Sequence, residues 1–123
     1  MANGGELKGT RLLSESTMES FHAEPIERDM SFDVNYFVKG GVSFDQPLTV
    51  PKPHPPKMIP NDIAGCYGWI GYGGSVIQWH RELKIGFGFV PTFLYYADLN
   101  NVRGKNLLSE VIRCAKLKAA RDG

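Results

Sequence analysis

The sequence predicts an α+β fold, a small antiparallel sheet covered by a C-terminal helix. Two observations predict the sheet and one predicts the helix. Gly65-Cys66-Tyr67-Gly68-Trp69-Ile70-Gly71-Tyr72-Gly73-Gly74-Ser75-Val76-Ile77-Gln78-Trp79 interleaves aromatic and β-branched residues with glycines. Leu83-Lys84-Ile85-Gly86-Phe87-Gly88-Phe89-Val90-Pro91-Thr92 repeats the pattern after the break His80-Arg81-Glu82. Such runs read as strands joined by a tight connection, with glycine leaving room for close approach. Between about Asn100 and Ala120, Val102, Leu107, Leu108, Val111, Ile112, Ala115 and Leu117 recur at helical spacing. A helix of that length can cover one face of a sheet.

Taken in order, residues 1–13 read as a turn region. Ala2-Asn3-Gly4-Gly5 looks like a helix terminus, where Asn or Gly takes the left-handed conformation. The chain is therefore expected to be a piece of a longer protein, opened inside an element. Ser14 or Ser16 can cap a helix running to about His22, and Ser16-Thr17-Met18-Glu19 fits a capping box. Leu13, Met18 and Phe21 give it an apolar stripe, and Pro25 limits it. Met30 to Phe44 alternates through Phe32, Val34, Tyr36 and Val38, with Gly40-Gly41 as a bend or bulge. Residues 46–60 carry Pro47, Pro51, Pro53, Pro55, Pro56 and Pro60 and read as an extended loop, because proline lacks the ladder donor. The later strands are expected at about 64–71, 74–80 and 84–91.

The 123 residues suit one domain. A net charge of +1 offers no electrostatic footprint for nucleic acid or an anionic membrane. No apolar run reaches the roughly 20 residues of a membrane span. Cys66 and Cys114 stand far apart without a Cys-x-x-Cys, so neither a zinc knuckle nor a disulfide framework is expected. Free thiols favour a cytoplasmic or other reducing compartment.

The glycine-rich run and the words Met1-Ala2-Asn3-Gly4-Gly5-Glu6-Leu7 and Arg11-Leu12-Leu13-Ser14 together resemble the C-terminal part of the serine β-lactamase-like proteins. These include penicillin-binding proteins, esterases and β-lactamase-related proteins. The resemblance covers nearly the whole chain outside the proline-rich middle. It implies a partial transpeptidase-type fold and a family activity of amide or ester hydrolysis through an acyl-serine. It also implies a partner, either the missing part of the domain or another protein chain.

That chemistry needs three words. In Ser-x-x-Lys, one helical turn brings a lysine amine beside the serine hydroxyl. A Tyr-x-Asn or Ser-x-Asn word transfers protons. A Lys-Thr-Gly or His-x-Gly strand word organises the site and leads into the oxyanion hole. The residues three beyond each serine are Thr17, Glu19, Ala23, Val34, Gln46, Gln78 and Ile112, so the first word is missing, and so is the second. Anchored on the turn Gly73-Gly74-Ser75, the third word falls on Trp69-Ile70-Gly71, with the Tyr72 N–H as the implied oxyanion donor. Trp69 departs from the pattern, since an indole only donates. The expectation is thus a non-catalytic fragment or remnant, with a structural or protein-interaction module as the alternative.

Other signals are weaker. Gly71-x-Gly73 and Gly86-x-Gly88 do not complete a dinucleotide fingerprint, and Ser75 is not in a nucleophile elbow, so no cofactor is expected. His22, His54 and His80 lack metal spacing and are expected to be solvated. Trp69, Tyr72, Trp79, Phe87, Phe89, Phe93, Tyr95 and Tyr96 read as sheet core, or as a surface for the missing part. Pro53-His54-Pro55-Pro56 formally contains the Pro-x-x-Pro spacing of an SH3 ligand.

Overall fold

The structure is a computed structural model and describes residues 1–29, 34–44, 63–95 and 101–123. The proline-rich loop with His54, and the positions Phe32, Tyr96 and Asn100, lie outside the described residues.

Two short strands, β1 (Glu6–Leu7) and β2 (Thr10–Arg11), pair as a hairpin inside the region expected to be only turn. Gly4 and Gly5 do take left-handed φ values, 63° and 85°. Helix α1 spans Glu15–His22. Its cap is Ser14, whose Oγ accepts from the Thr17 N–H at 3.1 Å. The box expected on Ser16 and Glu19 does not form, because Ser16 is already helical and Glu19 turns to Arg81.

The main sheet is an antiparallel meander of six strands whose spatial order follows the chain. They are β3 (Ile26–Asp29), β4 (Val34–Val38), β5 (Gly41–Ser43), β6 (Cys66–Ile70), β7 (Val76–His80) and β8 (Ile85–Phe89). Strand β3 was not expected, since its four residues Ile-Glu-Arg-Asp are all exposed and lack an apolar alternation. Gly40-Gly41 is not a bulge but part of a hairpin connection, as Val38 pairs with Gly41.

Register decides what each face carries. Cys66 pairs with His80, and Ile70 with Val76; His80 in turn faces Ile85, and Val76 faces Phe89. Successive side chains point to opposite faces. Cys66, Ile70, Val76, Gln78, Ile85, Phe87 and Phe89 therefore share one face. Helix α2 (Val102–Asp122) lies against it. Its Leu108 and Ile112 join Val42, Phe44, Ile63 and Cys66 in the core. Helix and sheet approach closely at Gly104: a Cβ there would stand 2.7 Å from Val76 Cγ2.

The expected apolar stripe of α2 splits in two. Gly104, Lys105, Leu108 and Ile112 are buried, while Val102, Leu107, Val111 and Leu117 are exposed. Spacing of four along one line selects the buried set, and the others sit around the cylinder from it. The other sheet face carries Tyr67, Trp69, Ile77 and Trp79. Part of it is covered by α1 through Met18 and His22.

Close approach explains Gly68. Its φ is 140°, and a Cβ there would collide with the backbone of Ile77 and Gln78. Any side chain would push β6 from β7.

Candidate functional site

The turn between β6 and β7 holds the residues that the resemblance assigns to the third active-site word. Trp69 and Ile70 end β6, and Gly71-Tyr72-Gly73-Gly74-Ser75 make the connection. The Gly71 N–H donates to Ser75 O at 2.7 Å, and the Gly74 N–H to Gly71 O at 3.3 Å. Gly73 and Gly74 have φ values of 87° and 120°, which side chains rarely tolerate.

Groups distant in sequence hold this turn. Asn101 is 2 % exposed and itself left-handed, with φ 51°. Its Nδ2 donates to Gly71 O at 2.8 Å and to Ser75 O at 3.1 Å. Arg103 donates to Gly73 O at 2.8 Å and to Phe93 O at 3.2 Å. The Tyr95 N–H adds a bond to Gly73 O. The start of α2 and the segment after β8 thus clamp the turn carbonyls. Sequence reading missed Asn101 and Arg103. An asparagine before a helix signals a cap, yet Asn101 makes no cap bond with its side chain.

The expected site residues do not share one environment. Ile70 is half-buried beneath the turn. Trp69 is 52 % exposed on the sheet face beside Ile77, with its ring centroid 6.1 Å from that of Phe37. Tyr72 projects from the turn. The aromatic cluster divides likewise: Trp79 is buried and Phe87 and Phe89 half-buried, whereas Trp69, Tyr72, Phe93 and Tyr95 are exposed.

The histidines overturn expectation. His22 and His80 are buried, at 8 % and 5 % exposure, rather than solvated. His22 Nδ1 lies 2.7 Å from Met18 O, and the Trp79 indole N–H donates to His22 Nε2 at 2.9 Å. Nε2 must therefore be an acceptor and Nδ1 the donor, which defines a neutral tautomer. The ring also meets Tyr67 edge-on at 4.5 Å. Burial lowers the His22 pKa; the Met18 bond opposes this, and the Arg81 charge adds to the lowering. Glu19, one turn earlier, is bonded to Arg81, which holds its carboxyl below the usual range. His80 Nδ1 accepts from the Leu83 N–H at 3.3 Å and so fastens the β7–β8 connection.

Other reactive types are placed apart. Cys66 is wholly buried in the core and Cys114 exposed on α2; both are free thiols. Ser14 and Ser20 hydroxyls serve the first helix. Among the described residues, no three His, Cys, Asp or Glu side chains gather as a metal site. No helix among them is long and apolar enough to cross a membrane. No family model, curated protein or solved structure matches the chain.

Proposed function

We propose that this chain is a non-catalytic remnant or fragment of a β-lactamase-related serine hydrolase, retaining sheet and helix as a scaffold without the acyl-transfer groups. One observation carries the reading. At the position the resemblance gives to the third word, Trp69 stands half-exposed beside a rigidly held glycine turn. An indole can neither take up a proton nor place a cation there. The Gly71 and Gly74 N–H groups bond within the turn, and the side chain beside it offers an aromatic ring and a single N–H donor.

The experiment is turnover of a chromogenic β-lactam and a short-chain nitrophenyl ester, with a fluorophosphonate label in parallel. The expected result is neither turnover nor label. Turnover lost on mutating a labelled serine refutes the proposal.

The alternative, a structural or interaction module, is favoured by a separate observation. Trp69, Ile77, Tyr72, Phe93 and Leu94 are all more than half exposed around the glycine turn. Large exposed apolar side chains gathered about one turn are a feature of contact sites. Light scattering during size-exclusion chromatography distinguishes the readings: concentration-dependent association abolished by Trp69→Ser supports the module.

A further inference from the structure

The opposite end of the β6–β7 hairpin carries a concave feature. A cleft of about 720 Å³ opens between the N-terminal turn, the entry to β6, the β7–β8 connection and α2. That size falls within the roughly 300–1,000 Å³ of small-molecule sites. Its charged groups are Arg81, Lys84 and Lys116 against Glu82. Glu19 engages the Arg81 guanidinium from α1. Among the described residues, no carboxylate lies within ion-pair range of Lys84 or Lys116. Two ammonium groups from different elements thus border one concavity, whose lining includes one carboxylate, Glu82. Tyr67 and Leu83 supply apolar wall.

Two backbone features shape the cleft. Gly65 has φ 83°, and a Cβ there would come within 2.8 Å of His80 Nε2. Glycine therefore lets the chain pass directly over the buried imidazole. Lys84 is itself left-handed, with φ 53°, in a connection closed by Lys84 N–H to Arg81 O at 3.2 Å. Neither conformation is the default for the chain, and together they set the cleft's rim.

We propose that this cleft binds a small organic anion, a carboxylate or phosphate attached to a flat apolar group. The anion bridges Lys84 and Lys116, whose charges have no ion-pair partner to displace among the described residues. The apolar part lies against Tyr67 and Leu83. The site is independent of the glycine turn and does not rest on the hydrolase reading.

The test is a titration of the full chain with phenyl phosphate and with inorganic phosphate, followed by amide chemical shifts. Saturable shifts centred on Gly65, Lys84 and Lys116 are expected, with phenyl phosphate binding at least threefold more tightly. Lys84→Asn with Lys116→Gln should weaken phenyl phosphate at least tenfold. Asparagine tolerates the left-handed position and glutamine the helix, so both changes spare the fold. Lys39→Gln, on the β4–β5 connection, should change nothing. Equal affinity for the two probes, or affinity unaltered by the double variant, overturns the proposal.

Discussion

Replacing Gln78 with methionine should make this protein more stable. Gln78 is 1 % exposed at the centre of β7, on the face beneath α2. Among the described residues, neither its Nε2 nor its Oε1 has a hydrogen-bond partner. A buried polar group left unpaired costs about 1–3 kcal/mol. Methionine has a similar length and the same unbranched start. That start matters, since a Cβ on the facing Gly68 would already lie 3.1 Å from Gln78 Cγ. The swap therefore removes the desolvation penalty without a cavity or a new clash, and a gain of about 1–3 kcal/mol is expected. For 123 residues each kcal/mol corresponds to about 4 °C in melting midpoint. Urea and thermal melts of the two proteins, side by side, measure it. An unchanged or lower midpoint would refute the reasoning, because it would mean the amide is satisfied in solution.

Stability should fall below about pH 6.5, the ordinary histidine pKa. The His22 pKa is lowered in the folded state, so between the folded and unfolded values the unfolded chain binds the extra proton and is favoured. The stabilisation is full above the unfolded pKa and lost as pH falls; urea melts at pH 7.5 and 5.5 should separate, and the gap should narrow in His22→Gln. Gly104→Ala should destabilise by about 1 kcal/mol although alanine is the better helix former, since its Cβ would press on Val76 and Phe89; a higher melting midpoint would show that α2 can shift aside. Asn101→Ala should cost about 1–3 kcal/mol, as it strips two bonds from the turn carbonyls. Amide exchange at 71–75 should then quicken. Native-state alkylation should modify Cys114 at once and Cys66 only upon unfolding.

What the sequence alone determined is local. Strands at 66–70, 76–80 and 85–89 fall within the ranges read from alternating aromatic and glycine residues, and α2 lies where apolar residues recur at helical spacing. The glycine turn was legible because only glycine accepts φ values such as 87° and 120° in succession. Strand β3 was not legible: its exposed polar residues pair through the backbone with β4, and a ladder partner leaves no mark on side-chain pattern.

Tertiary structure decided everything that joins distant positions. His22 and Trp79 lie 57 residues apart, and only the packing of α1 on the sheet turns an imidazole that could face water into a buried acceptor. Asn101 and Arg103 became the clamp on the turn through contacts 26 to 30 residues away along the chain. The same holds for α2, where Leu108 and Leu107 are equally apolar by type. The sheet hides the first and leaves the second half in water. Local periodicity reports what a segment can bury, whereas the facing surface selects what it does bury.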